Sequence, residues 1–364
     1  MRARAAGDVL IHVPLGCRAF WKTLRRRGLV AAAVLAVALG VPDSVRAAET
    51  NAPHDVIRAV VGISAIIPED ARTAKNLGVM RSGSGIVIDD NGLVLTIGYL
   101  MMEAERVAVT NADGNLMPAF PIAYDHGTGF GLLRATQPLG LKPVKLGSSA
   151  DLAEGAPAII VSKGGRVPVM AARVSSRREF AGYWEYLLDR AIFTVPPNPQ
   201  YGGAALIDAD GRLVGIGSLA VNDAVSDKTP VAGNMFVPID VLKPILRDLV
   251  EKGRSSAPAR PWLGVYPNEN NGRVFVRRVA AGGPADNAGI KPGDVIIGVG
   301  GKRVKGMADF YRKIWARGSA GAEIPIDILP IGAASLDITT VTVKSRDRLD
   351  WLKLNKGLYP ALPR

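Results

Sequence analysis

The chain has 364 residues, 48% of them apolar, with 41 Gly, 25 Pro and a formal charge of +12, enough for two or three domains with hydrophobic cores of their own. Much of that charge is local, because eight Lys/Arg (Arg2, Arg4, Arg18, Lys22, Arg25, Arg26, Arg27, Arg46) face only Asp8 and Asp43 within residues 1–47, and no basic stripe with interleaved aromatics follows, which argues against nucleic-acid binding. One cysteine, Cys17, and three histidines, His12, His54 and His126, exclude a Cys-based metal site, argue against a His-cluster site, and point to no cofactor.

The N-terminus has the order of a targeting peptide: basic residues through Arg27, an apolar run over 28–41, then Val45-Arg46-Ala47, with cleavage expected after Ala47. That run is shorter than the ~20 residues needed to cross a bilayer. Export to a bacterial periplasm is therefore expected, with an inner-membrane anchor as the alternative if the leader is kept. Cys17 would leave with the leader, so the mature chain forms no disulfide of its own.

From Val56 onward the pattern is short apolar runs broken by Gly, Asn and Asp. The stretch Gly85-Ile86-Val87-Ile88-Asp89-Asp90-Asn91-Gly92-Leu93-Val94-Leu95-Thr96 is a strong hairpin signal, two β-branched runs around Asn-Gly. Similar runs recur at 106–110, 157–161, 191–195, 204–207 and 213–216, so a mainly β barrel or sandwich is expected over 48–254. A helix opening at Pro238-Ile239-Asp240 and carrying Val241, Leu242, Ile245, Leu246 and Leu249 closes this region. Small residues and prolines over 255–261 read as a linker. Residues 262–345 form one compact α+β module with an amphipathic helix over 306–316, and 346–364 are left as a tail.

Several of these segments resemble the HtrA (Deg) family of trypsin-like serine proteases. Ser82-Gly83-Ser84-Gly85 and the hairpin after it are similar to the stretch that leads into that family's catalytic histidine, which places Tyr99 at the histidine position. Asp125-His126-Gly127-Thr128-Gly129-Phe130-Gly131-Leu132-Leu133 resembles the aspartate stretch, with Gly129 in its place. Asn198-Pro199-Gln200-Tyr201-Gly202-Gly203-Ala204-Ala205-Leu206 resembles the nucleophile loop, with Gly202 on the serine. Arg260-Pro261-Trp262-Leu263-Gly264-Val265 and Gly282-Gly283-Pro284-Ala285 through Lys291-Pro292-Gly293-Asp294 resemble a PDZ domain of that family. The resemblance implies a chymotrypsin-like double β-barrel followed by a PDZ domain. It also implies a homo-oligomer, commonly a trimer, or a hetero-oligomer with active relatives.

Serine-protease chemistry needs a nucleophilic oxygen, a base and an acid that orients the base, and tyrosine with two glycines supplies none of them. Asn198 through Leu206 contain no Ser, Thr or Cys, so a shifted alignment does not restore the nucleophile. The expectation is a noncatalytic homologue; the alternative is an active endopeptidase with an unorthodox site, for which His126 is the one histidine in the barrel body. Tyr99 and Tyr201 together fill the old cleft, or Tyr99 is a packing replacement. The resemblance further implies that the loop Trp262-Leu263-Gly264-Val265 binds protein C-termini or unfolded segments through its backbone N–H groups. The other reading makes Trp262 and Leu263 core residues only.

Overall fold

The computed structural model describes residues 53–163, 169–226, 228–332 and 337–354; the expected leader lies outside them. A short helix α1 (Pro53–Arg58) precedes six strands: β1 (Val60–Ile66), β2 (Met80–Val87), β3 (Leu93–Ile97), β4 (Arg106–Thr110), β5 (Leu116–Tyr124) and β6 (Phe130–Ala135). They close in the order β1-β2-β3-β6-β5-β4. One helical turn, α2 (Ala74–Leu77), interrupts the β1–β2 connection. The Asn91-Gly92 turn forms as expected: Gly92 takes φ +78° and Asp89 Oδ1 accepts from the N–H groups of Asn91 and Leu93 at 2.9 and 2.7 Å. Every residue of β3 is buried, which suits a run of aliphatics between two covered faces.

A second closed barrel is built from β7 (Pro157–Val161), β8 (Val169–Gly182), β9 (Tyr186–Val195), β10 (Ala205–Ile207), β11 (Leu213–Val221) and β12 (Gly233–Pro238), ordered β10-β11-β12-β9-β8-β7. The helix expected after β12 is broken in two. A 3-10 turn covers Ile239–Val241 and α3 begins only at Leu246–Lys252. Pro244 is the cause, because it has no N–H to donate and its ring crowds the carbonyl four residues back.

The C-terminal module is a sheet of β13 (Val265–Asn270), β14 (Arg273–Val279), β15 (Val295–Val299), β17 (Glu323–Leu329) and β18 (Thr339–Lys344) in that order, with the two-residue β16 (Lys302–Arg303) on β15. This leaves β13 at an edge. A one-turn helix α4 (Pro284–Asn287) and the amphipathic α5 (Met307–Trp315) complete it, α5 burying Phe310, Tyr311 and Ile314. The segment between barrel and module is packed: Arg260 lies 4.3 Å over the Trp315 ring and Ala320 N donates to Ala259 O at 2.8 Å. The described part of the C-terminal tail is likewise folded down. It forms α6 (Arg348–Trp351), whose Trp351 ring lies 4.7 Å from that of Trp262.

Candidate functional site: an occupied cleft and an occupied loop

The three sequence-predicted positions come together at the seam of the two barrels. Gly98 N donates to Gly129 O at 2.7 Å, which sets the residue before Tyr99 against Gly129. From the other side the Gly202 carbonyl accepts from Ser84 N at 2.8 Å. Tyr99 then reaches across the seam, its hydroxyl donating to the Ser218 carbonyl of β11 at 3.0 Å. A Cβ on Gly202 would stand 2.9 Å from that hydroxyl. Burial holds the Tyr99 phenol well above its ordinary range, so it stays protonated and acts as a donor, not a base.

Gly129 has φ +83°, a left-handed conformation that disfavours any side chain. A Cβ there would also lie 3.2 Å from the Tyr186 hydroxyl, which donates to Thr128 O at 2.5 Å. The one carboxylate of this loop, Asp125, is spent on the loop itself, accepting from Thr128 N and Thr128 Oγ1, both at 2.7 Å.

An oxyanion hole of this type uses the N–H groups of the nucleophile position and of the residue two before it. Here the latter, Gln200 N–H, donates to Asn198 Oδ1 at 2.8 Å. Asn198 is fixed in turn by Asn234, which accepts from its N–H at 2.6 Å and donates to its carbonyl at 3.1 Å. Gly203 N–H is bound to Gly217 O at 2.9 Å.

His126 is not a surface histidine and does not swing into the cleft. It is half-buried, with Nδ1 3.1 Å from the Tyr124 hydroxyl and Nε2 3.5 Å from the Arg348 guanidinium. Burial, followed by the positive fields of Arg348 and Arg260, pushes its pKa well below the ordinary histidine value. Among the described residues no Ser or Thr hydroxyl lies within hydrogen-bond reach of either His126 or the exposed His54. What remains is a cleft of about 620 Å³ walled by Tyr99, Tyr124, Trp184 and Tyr201, with Tyr266 and Arg278 of the C-terminal module on its far side.

The loop 262–265 shows both of its expected aspects at once. Trp262 and Leu263 are core side chains, 2% and 0% exposed. Gly264 takes φ +78°, and a Cβ on it would meet Ala280 at 3.0 Å and the Trp262 ring at 3.2 Å. The backbone N–H groups of Leu263, Gly264 and Val265 do converge on a carboxylate. It belongs to Glu185, at 2.9, 2.6 and 2.9 Å respectively. Sequence reasoning had no signal for Glu185 beyond one acidic residue in an aromatic turn, Tyr183-Trp184-Glu185-Tyr186.

Two consecutive six-stranded barrels meeting at such a seam, with an edge-strand module behind them, define a trypsin-like peptidase domain joined to a PDZ domain. Family models agree: residues 83–216 match the trypsin-like peptidase domain and residues 261–332 the PDZ domain. The chain is a homologue of the HtrA/Do serine proteases. It is 27% identical to serine protease PepD of Mycobacterium tuberculosis, the match covering 72% of this chain and 60% of that protein. To the serine protease Do-like HtrA of Bacillus subtilis it is 26% identical, over 69% of this chain and 61% of the relative. Protease Do-like 1, chloroplastic, of Arabidopsis thaliana is 28% identical, over 72% and 64%. The chain thus spans about three fifths of the length of the relatives it matches. A solved HtrA-type protease with a tripeptide has the same fold, at TM-score 0.50 and 22% identity, covering 80% of this chain and 94% of the other.

Proposed function

We propose that this chain is an exported, noncatalytic HtrA-type protein that binds protein C-termini or unfolded polypeptides through its PDZ domain, as an adaptor, chaperone or regulator in the cell envelope. The observation that carries this reading is the Tyr99 hydroxyl, hydrogen-bonded to Ser218 O and lying against Gly202, where a serine nucleophile and its base would have to meet. Acyl transfer there lacks an oxygen to attack, a base to accept its proton and a free second donor for the oxyanion. The binding half of the reading is supported by the PDZ loop, whose three N–H groups already hold a carboxylate, and by β13, an edge strand that an extended peptide can extend.

The test is incubation of the purified chain with an unfolded protein substrate and, separately, with an active-site fluorophosphonate. Neither fragments nor a covalent adduct are expected. Either product would instead establish the second reading, an endopeptidase with an unorthodox site.

A further inference from the structure

Glu185 is 3% exposed and sits in the turn between β8 and β9 with φ +58°, a conformation rarely adopted by a residue with a long side chain. The rest of that hairpin accompanies it into the PDZ domain. Leu187 is buried within the PDZ core cluster, and Ala181 packs against the same cluster. From α5 the Tyr311 hydroxyl donates to Gly182 O at 2.8 Å. Arg312 pairs with Glu179 of β8 at 2.5 Å and Asp189 of β9 at 2.6 Å. The hairpin makes no strand pairing with β13.

We propose that Glu185 is a built-in surrogate ligand, so that the PDZ loop takes the carboxylate of an outside peptide C-terminus only when the β8–β9 hairpin withdraws. The inference rests on the peptide-binding reading above and adds its regulation. The surrogate reproduces one half of what a C-terminal peptide offers, a carboxylate on successive N–H groups, and omits the other, main-chain pairing along the β13 edge. An extended peptide supplies both halves and so competes with it. Because the hairpin's Leu187 is buried in the same apolar cluster as Leu263 and Val265, the favoured competitor ends in an aliphatic residue. While the latch is closed, affinity for that peptide is reduced by the fraction of molecules in which the loop is open.

The experiment uses the full chain, as wild type, Glu185→Ala and the uncharged isostere Glu185→Gln. Circular dichroism verifies folding. Two readouts are taken: amide hydrogen exchange at residues 263–265, and binding of a fluorescein-labelled octapeptide ending in a leucine carboxylate, with its C-terminal amide as control. Losing the acceptor oxygens shared by three donors should raise both exchange and affinity for the free-acid peptide in Glu185→Ala by about tenfold or more, while Glu185→Gln, which keeps an acceptor oxygen, stays nearer wild type. The amide should bind none of the three proteins. If wild type and Glu185→Ala bind the free acid with the same measurable affinity, or if exchange at 263–265 is unchanged while the peptide still binds, the latch is wrong while the peptide site stands; if no variant binds and exchange is unchanged, both fail. If exchange rises but no variant binds the peptide, the peptide-binding reading fails and the latch falls with it.

Discussion

The Tyr99 hydroxyl lies 2.9 Å from the point that a Cβ on Gly202 would occupy, and it holds that place through its bond to Ser218 O at 3.0 Å. Placing a serine at the nucleophile position expected from the sequence, Gly202→Ser, therefore forces the phenol aside without supplying a base. The substitution should cost about 1 kcal/mol, because the obstructing atom ends a flexible side chain. Fluorophosphonate labelling should stay at background. Adding Gly129→Asp should lower stability further, since that position has φ +83° and faces the Tyr186 hydroxyl. Labelling of the single Gly202→Ser variant at the rate of an active serine protease would contradict this geometry.

Glu185 gives the molecule a pH dependence whose sign follows from its burial. Desolvation raises its carboxyl from 4.5 to about 7, against the lowering influence of the loop N–H groups and of Arg348. Arg348 is the charged side chain acting on it besides the loop N–H groups, whereas His126 bonds to the Glu185 backbone and the Tyr311 phenol is itself pushed up by the Glu185 charge. A folded-state pKa above the unfolded value means that the folded chain keeps its proton where the unfolded chain has lost it. The stabilisation is full below pH 4.5 and is lost as pH rises through about 7. Urea midpoints of wild type and Glu185→Gln, measured from pH 4 to 8, should diverge across that window, wild type losing ground as pH rises. Parallel curves would remove Glu185 as the titrating group.

A second buried carboxylate does a comparable task elsewhere in the fold. Glu103, 2% exposed and at φ +62°, accepts from Arg72 N, Thr73 N, Thr73 Oγ1 and Lys353 N at 3.1, 2.8, 2.6 and 2.7 Å. It ties the segment before α2 to the chain after α6. Glu103→Gly relieves the left-handed backbone but orphans three buried or half-buried N–H donors. A net loss of about 3–5 kcal/mol is expected, read from chemical denaturation. A stability gain would mean that backbone conformation, not the carboxylate, dominates at this position.

Much of this architecture is legible along the chain because it is local. β4 and β7 begin and end where the short apolar runs say they should, and the Asn91-Gly92 hairpin follows from two residues. β8 is not legible, since Arg173, Ser175, Ser176, Arg177 and Arg178 make it read as polar surface; its burial comes from neighbouring strands and from Ala224, whose carbonyl takes both serine hydroxyls. The expected positions Tyr99, Gly129 and Gly202 and the loop 262–265 rest on their flanking motifs, and the structure brings the first three to one seam. What fills them cannot: Tyr99 meets Ser218 across 119 positions, and Glu185 meets Leu263 across 78. Each is a single side chain reaching a distant stretch of backbone, with no periodicity to announce it.

The end of the described chain provides the last test of how the loop is held. Trp262 N and Arg346 N each donate to the other's carbonyl at 3.0 Å, and at the end of the single-turn α6 Trp351 covers the Trp262 ring at 4.7 Å, with the Arg72 guanidinium 5.2 Å from the Trp351 ring centre. Trp262 immediately precedes the three N–H donors that hold Glu185, so its ring anchors the start of the carboxylate loop against the barrel. Trp351→Ala should cost about 3–5 kcal/mol, as expected for truncating a buried aromatic, and Trp351→Phe substantially less. If the anchor works through Trp262, amide exchange at 263–265 should rise in Trp351→Ala more than in the strands β15 and β17 of the same domain. An equal rise throughout the PDZ sheet would reduce Trp351 to a general packing residue with no particular hold on the loop.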